Sequence, residues 1–357
     1  MPPKTNVQFT IKLPSGPLLF PVNPVTIPSD ACFFWPFNLD LGKGVRLAWA
    51  TAQPITAIDV GNVRTVFFAG SEGVPAQFAF DRNVGLKTFS GRIADSDGYE
   101  TVGDVKPGVG AAMEIQGPHG ALRIVLLDDA QSLSLWKSNW QGRDRMFLTR
   151  AGLVADGDAL RLTSTNRADL IVAVYPAPST VTLNGEKLHG KTEGVFENFT
   201  PRAPDIETFK TGFEEIQPAG PPRKVPLGKI SQPVAAEPED ADFTNAAIWR
   251  VKVPADLDLG TDPILRLQYV GDVARVTLNG KLLTDDFYNG NVFEVGLRRY
   301  APAILAGDLR VEILPLRKDA PIMLAKEAAP DFGDQQSLVS LDRVEIIPRY
   351  QIQLSAQ

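Results

Sequence analysis

The chain has 357 residues, of which 44% are hydrophobic and 22% charged, and its formal net charge is -6 at pH 7. This composition is typical of a globular protein and excludes an extended disordered chain. The excess of acidic residues argues against binding to a nucleic-acid backbone, which depends on clustered lysine and arginine. We therefore do not expect nucleic acid as a partner. No apolar run reaches the ~18 residues of a membrane helix, so we do not expect a membrane as a partner either.

Strands are predicted along the first half of the chain, because apolar and polar residues alternate with period two between prolines and glycines. A short helix could interrupt them at 132–138. The predicted strands lie at 7–13, 18–20, 31–39, 45–50, 65–68, 77–80, 112–115, 122–127, 159–163 and 170–174. This pattern predicts an all-β fold of several antiparallel sandwiches, without the alternating strands and helices of a TIM barrel.

The pentapeptide Val-Thr-Leu-Asn-Gly occurs twice, at 181–185 and at 276–280. Asn-Gly between two apolar runs predicts a type I′ hairpin, because both central residues of that turn need a positive φ. Two hairpins of one type suggest two related β-sandwich units. Such units more often bind than catalyse, although fold alone does not determine function.

Eight prolines between residues 200 and 242 predict a long connection. We therefore divide the chain into an antiparallel β domain at 1–92, a β-sandwich at 93–205, a proline-rich linker at 206–240 and a last sandwich at 241–357. The run at 344–354 is predicted to supply one or two strands that complete the last sandwich.

The single cysteine, Cys32, excludes an intramolecular disulfide, and we expect it to be a small buried residue. One cysteine and two distant histidines, His119 and His189, do not predict a zinc site, so no metal or cofactor is assigned; structural calcium in a sandwich loop stays open. The polar, proline-containing start at 1–6 predicts no export signal in this chain. The compartment is therefore not determined.

Aromatic residues among polar ones are the best candidates for binding a neutral ligand. The apolar face of a sugar stacks on an aromatic ring while its hydroxyls bond to acids and amides. The alternative is that these rings fill a core or an interface between domains. The candidate carbohydrate-binding residues are Trp136, Trp140, Asp286, Phe287, Tyr288 and Asn289.

Glycoside hydrolysis uses two carboxylates about 5–10 Å apart, a spacing that positions along the chain cannot reveal. The candidates are Asp128, Asp129, Asp285, Asp286, Glu294 and the acids of the 206–240 segment. Adjacent acids are common in turns, so no catalytic residue is assigned.

Several strings are peculiar enough to suggest a family. The first is Phe-Phe-Trp-Pro-Phe-Asn-Leu-Asp-Leu at 33–41, and two further strings follow at 49–54 and 73–81. Together they resemble the region after the catalytic barrel in bacterial β-galactosidases of glycoside hydrolase family 35. The strings at 135–137, 271–280, 286–290 and 313–322 resemble the C-terminal jelly roll of that family. The resemblance covers nearly the whole chain.

The resemblance implies that 241–357 is a galactose-binding-like jelly roll. It also implies that the catalytic glutamates belong to a barrel N-terminal to the matched region, so none can be assigned here. The expected function is that of a non-catalytic portion of a β-galactosidase-like enzyme, which braces a catalytic barrel domain and binds galactosides or a plant or microbial polysaccharide. Proteins of this family are often periplasmic or secreted. The alternatives are a free-standing carbohydrate-binding protein and, less favoured, a small glycosidase with its own carboxylate pair.

Overall fold

The computed structural model describes residues 1–14, 16–96, 98–203, 205–206, 208–228 and 234–356. These residues are mostly in β-strands. The strands, in chain order, are β1 (Lys4–Leu13), β2 (Gly16–Ile27), β3 (Phe37–Gly42), β4 (Val45–Ala50), β5 (Ala52–Val60), β6 (Val63–Gly70), β7 (Ala76–Asp81), β8 (Leu86–Thr88), β9 (Arg92–Ser96), β10 (Tyr99–Val105), β11 (Met113–Gly117), β12 (Gly120–Leu127), β13 (Leu135–Trp140), β14 (Arg143–Leu148), β15 (Gly152–Asp156), β16 (Ala159–Ser164), β17 (Val172–Tyr175), β18 (Val181–Leu183), β19 (Glu186–Leu188), β20 (Lys191–Glu193), β21 (Phe196–Phe199), β22 (Phe209–Lys210), β23 (Phe213–Gln217), β24 (Ala247–Val251), β25 (Ile264–Val270), β26 (Val273–Leu278), β27 (Lys281–Phe287), β28 (Phe293–Gly296), β29 (Leu309–Ile313), β30 (Leu316–Arg317), β31 (Ser337–Leu338), β32 (Ser340–Ile347) and β33 (Tyr350–Ala356).

Helix is scarce in the described residues. One short α-helix, α1, spans Asp129–Leu133. The 3-10 turns lie at Arg167–Leu170, Asp240–Asn245, Leu259–Thr261, Arg298–Tyr300 and Ala303–Leu305. The sheets of the described residues are open rather than closed into a barrel. The all-β sandwich fold expected from the sequence is therefore confirmed.

The chain forms two compact units, Met1–Ala203 with Gln351–Gln357, and Pro204–Tyr350. The first unit holds two sandwiches. The first sandwich packs the sheet β3-β4-β7-β10-β9 against β5-β6-β12-β11-β8. The buried residues between these sheets include Leu47, Phe78, Phe80, Met113 and Ile124. Its pairs are antiparallel except β6 with β12, which are parallel.

The boundary expected at residue 92 falls inside this sandwich. β9 begins at Arg92 and pairs with β10, and β10 pairs with β7. Backbone hydrogen bonds thus cross the expected boundary, which the local composition of the chain did not reveal.

The hairpin of β1 and β2 lies on the outer face of the first sheet. A register shift between β4 and β7 allows the hairpin to pack there. Leu47 pairs with Phe80 and Trp49 pairs with Ala79, so β4 has one extra residue between these two pairs. The extra residue is a β-bulge, so Leu47 points into the sandwich core while Trp49 points outward. The Trp49 ring, 1% exposed, packs against Phe20 of the hairpin. The bulge thus supplies the apolar surface that holds the hairpin.

The second sandwich packs β13-β14-β17-β21-β20 against β15-β16-β33-β18-β19. The last strand of the chain, β33, therefore belongs to the first unit and lies between β16 and β18. The run at 344–354 was expected to complete the last domain. Instead it is shared: β32 stays in the second unit and β33 returns to the first.

The two sandwiches of the first unit share buried residues. Phe67 and Val125 of the first sandwich pack with Met146 and Phe196 of the second. A buried hydrogen bond joins the Thr65 and Tyr175 hydroxyls at 3.0 Å. Because both sandwiches bury apolar side chains in this contact, their arrangement relative to each other is expected to be fixed.

The second unit is one sandwich, with β22-β32-β25-β28 facing β23-β24-β29-β26-β27. Its core includes Trp249, Leu267, Val276, Val311 and Ile346. The segment at 206–240 is not simply a linker, since it contributes the edge strands β22 and β23. The stretch at 205–217 contains no proline, so its backbone N–H groups are free of the restriction that proline would impose on strand pairing.

Both Asn-Gly turns have the conformation that the sequence predicts. The φ angles are 53° at Asn184 and 84° at Gly185, and 52° at Asn279 and 77° at Gly280. These turns join β18 to β19 and β26 to β27 in antiparallel pairs. The predicted type I′ hairpins are confirmed.

Three local expectations were wrong. Residues 31–36 are not a strand, and Cys32 is exposed rather than buried. The helix spans Asp129–Leu133 and so overlaps the expected 132–138 only at its end, because the Asp128 carboxylate caps it and the Gln131 side chain completes a capping box. The chain then enters β13, which pairs with β14 across the two-residue turn at Gln141.

A buried ion pair fixes the proline-rich segment of the second unit. Arg223 Nε lies 2.7 Å from Asp272 Oδ2, and the two side chains are 4% and 5% exposed. The Arg223 guanidinium also donates to the Ala236 carbonyl at 3.2 Å. Removing one partner would leave the other charge buried without compensation, and such a loss costs about 3–5 kcal/mol.

We therefore expect Arg223→Met to lower the unfolding free energy of the second unit by about 3–5 kcal/mol in urea titrations of the full chain. Arg349→Met, which breaks the half-exposed pair with Asp262, is the control and should cost less than about 1 kcal/mol. Adding Asp272→Leu to Arg223→Met should recover part of the loss. Equal effects of Arg223→Met and Arg349→Met would contradict this role of the buried pair.

Candidate functional site

The candidate residues of the second unit lie where β27 ends. Strand alternation places neighbouring side chains on opposite faces of the sheet. Asp286 is accordingly half-buried, whereas Phe287 is 53% exposed and Asn289 is exposed. Tyr288, half-buried, packs against the core of the sandwich. The structure thus places Asp286 and Tyr288 at the rim of the core, and Phe287 outside it.

Tyr269 of β25 connects these two residues. Its side chain is 3% exposed. Its hydroxyl donates to the Asp286 carboxylate at 2.9 Å and lies 3.0 Å from the Asp286 carbonyl. Its ring meets the Tyr288 ring edge to face, with centroids 5.6 Å apart. Asp286 and Tyr288 therefore share one buried partner, which fixes both.

Backbone contacts fix the loop that follows. The Tyr288 N–H donates to the Asp272 carbonyl at 3.0 Å. The Asn289 side chain accepts from the Asn291 N–H at 2.9 Å, so its amide is part of the turn. Gly290 has φ 82°, and a Cβ there would lie 2.7 Å from Ala328 Cβ. Only glycine fits both this conformation and this close approach.

Burial dominates the electrostatics of the site. It raises the pKa of Asp286, and the neighbouring Asp285 raises that pKa further, while the hydrogen bond from Tyr269 opposes both. Burial also raises the pKa of Tyr288, with a smaller contribution from the Asp342 carboxylate. The pKa of Tyr269 is raised far above its ordinary value, again mainly by burial. Both phenols therefore stay neutral at physiological pH.

An aromatic ring and a carboxylate are two kinds of group found in sugar-binding sites. In this protein, Tyr288 and Asp286 bring one of each to the same buried partner, Tyr269. Sequence reasoning missed Tyr269 and Asp342. Tyr269 stands in an alternating strand that reads as core, and Asp342 lies more than fifty positions from Tyr288, so no local signal joins them.

The two tryptophans of the first unit differ from each other. Trp140 is completely buried, and its indole N–H donates to the Asp158 carbonyl at 3.0 Å. Its proposed ligand role is therefore corrected to a core role, because no face of the ring is open. Trp136 is 40% exposed and its indole N–H donates to the Thr149 carbonyl at 3.1 Å. Trp136 thus keeps an accessible surface.

The candidate acids mostly have structural contacts. Asp128 caps α1, and Asp129 is exposed in the first turn of that helix. Glu294 accepts from Arg266 at 2.5 Å in an ion pair on the sheet surface. Asp285 is exposed, on the face of β27 opposite Asp286. The two adjacent acids at 285–286 therefore do not face each other.

Among the residues that the structure describes, no group of three or more His, Cys, Asp or Glu side chains is arranged to hold a metal ion. Within the same part of the chain, no helix is long and apolar enough to span a bilayer.

Comparison with known proteins does not identify a family for this chain. No protein-family model matches the chain. No curated protein matches it either. Among solved structures, a rhamnosidase from Novosphingobium sp. PP1Y matches at 13% identity with a TM-score of 0.25, over 66% of this chain and 27% of that chain. The chain thus spans about a quarter of the rhamnosidase, and a TM-score this low does not define a shared fold. The resemblance to family 35 stays a prediction.

The raised pKa of Asp286 predicts the pH dependence of stability. The folded state holds this proton more tightly than the unfolded state, so stability falls as pH rises from the ordinary Asp pKa, about 3.9, through the folded value. Asp286→Asn removes the titration while its amide oxygen can still accept from Tyr269. We expect the variant to gain stability relative to the wild type as pH rises through this window, measured by urea unfolding.

Asp256→Asn, at an exposed position of the same unit, is the matched control and should follow the pH dependence of the wild type. Parallel curves for Asp286→Asn and the wild type would show that burial does not affect Asp286 in this way.

Proposed function

We propose that this chain is the non-catalytic β-sandwich portion of a β-galactosidase-like glycoside hydrolase of family 35, and that its second unit binds galactosides through Tyr288 and Asp286. The observation that carries the proposal is the half-buried Tyr288 ring, fixed edge to face on Tyr269 at 5.6 Å beside the Asp286 carboxylate. Its partner in the whole enzyme would be a catalytic barrel domain, which this portion braces.

The position of the family-like strings supports this proposal. The string at 271–280 covers β26 and the turn that follows it. It includes Asp272, whose carbonyl accepts a hydrogen bond from the Tyr288 N–H. The string at 286–290 contains the site itself. Two of the family-like strings therefore contain residues that form and fix the site.

The chemistry of the site supports a neutral sugar rather than a charged ligand. Asp286 and the nearby Asp342 repel anions, and the chain as a whole carries a net charge of -6. The neutral Tyr288 hydroxyl and the Asp286 carboxylate together can donate to and accept from the hydroxyls of a sugar. The aromatic ring supplies the apolar contact.

We expect Tyr288→Ala to weaken binding of β-1,4-galactobiose at least tenfold in calorimetric titrations, because it removes the stacking surface; tenfold corresponds to about 1.4 kcal/mol. Tyr288→Phe should retain most of the affinity. Tyr300→Ala, at another half-buried tyrosine of the same unit, is the control and should bind like the wild type. Absence of binding by the wild type, or full affinity of Tyr288→Ala, would refute this site.

The proposed non-catalytic role predicts no hydrolysis of a chromogenic β-galactoside by the purified chain above the buffer rate. Asp286 is the acid to examine first if activity is found, since a raised pKa is what a general acid needs. Turnover that is lost in Asp286→Asn and kept in Asp256→Asn would replace the accessory role with a catalytic one.

A further inference from the structure

A cleft of about 280 Å³ lies in the first unit, between the N-terminal hairpin and the outer face of the first sheet. The hairpin supplies one wall with Ile11, Leu13 and Leu18. The sheet supplies the other wall with Phe37 and Tyr99. Both walls of the cleft thus contribute apolar or aromatic side chains.

The sheet side of the cleft also carries a polar group of three residues, Asn38, Arg46 and Asp81. Arg46 Nη1 donates to Asn38 Oδ1 at 3.1 Å, and Arg46 Nη2 donates to Asp81 Oδ2 at 3.3 Å. These contacts use two of the five guanidinium N–H groups. The Arg46 and Asp81 side chains are 57% and 47% exposed, so both can also contact a ligand. Their charges cancel.

The fold positions these residues from three different strands. Asn38 is in β3 with φ 50°, a conformation that asparagine tolerates better than most residues. Arg46 lies in β4, one turn away across the β3–β4 hairpin. Asp81 ends β7 and is paired with Tyr99 of β10. The polar group and the aromatic ring therefore lie side by side on one sheet face.

The geometry points to a second saccharide subsite in this cleft, which takes one neutral pyranose ring with its apolar face toward Tyr99 and its hydroxyls toward Arg46, Asp81 and Asn38. The choice of a galactoside as ligand rests on the proposed function, whereas the cleft itself shares no residue with the Tyr288 site. Sugar recognition at two places would give the chain two points of contact with a long polysaccharide, which raises avidity.

The charge and size of the cleft select this ligand class. An unpaired arginine would favour a carboxylate or phosphate, but the Asp81 carboxylate beside Arg46 repels anions. A paired acid and base offer acceptors and donors together, which suits adjacent hydroxyls. The volume lies just below the ~300–1,000 Å³ of sites for drug-sized molecules, so one ring fits better than an extended chain.

Photoaffinity labelling of the full chain tests this subsite with positional resolution. The probe is a methyl β-galactopyranoside that carries a diazirine, with labelled peptides identified by mass spectrometry. We expect label in peptides that contain residues 11–18 and 99, and we expect excess methyl β-galactopyranoside to remove it. A galacturonide bearing the same diazirine should label these peptides at least fivefold less.

Arg46→Met and Asp81→Asn should each reduce labelling of the cleft peptides at least fivefold. Arg82→Met removes one positive charge at the exposed position next to Asp81 and is the matched control, with labelling as in the wild type. Since the Arg46 and Asp81 side chains are each about half exposed, both variants should fold, as circular dichroism will check.

The outcomes separate this inference from the proposed function. Label confined to the peptide at 286–291 would overturn the cleft subsite and leave the Tyr288 site standing. Label confined to the cleft would support the subsite and refute the Tyr288 site. Cleft labelling that persists in Arg46→Met and Asp81→Asn, or stronger labelling by the galacturonide, would overturn the subsite as described.

Discussion

The last strand of the chain is the constraint on which the first unit depends. β33 lies between β16 and β18 in the second sandwich, and its Leu354 side chain is completely buried. Val181 pairs with Ala356, some 175 positions later. Without β33, two strands would become edges with unpaired N–H and C=O groups, and a strip of the core would face water. The second sandwich therefore cannot be completed before the whole second unit has been synthesised.

In the second unit, a few buried polar contacts decide where the candidate site lies. Asp272 has two roles, since its carboxylate holds Arg223 and its carbonyl receives the Tyr288 N–H. Tyr269 likewise holds Asp286 with its hydroxyl and Tyr288 with its ring. The surface loop is thus fixed by the same residues that stabilise the interior. A ring that is already fixed loses less conformational entropy on binding than a mobile ring does. This saving favours the binding of a ligand that makes few strong contacts, such as a neutral sugar.

Local patterns in the sequence predicted much of the fold, and long-range contacts escaped them. Period-two alternation located some of the strands of the first unit, and Asn-Gly located both type I′ turns, because these features depend only on neighbouring residues. Nothing local assigns β33 to a sheet formed by residues 150 and more positions earlier. Trp136 and Trp140 have similar sequence surroundings and the same strand face, yet only Trp140 lies inside the core. The capping box of Asp128 and Gln131 was visible in the sequence and would have placed α1 correctly.

Hydrogen exchange with mass spectrometry on a Leu354→Pro variant tests the dependence of the first unit on its last strand most directly. Proline removes a backbone N–H and a buried leucine from the middle of β33. We expect amides of β16 and β18 to exchange at least tenfold faster than in the wild type, while those of β24 and β29 in the second unit keep their protection. Unchanged protection of β16 and β18 would contradict the account.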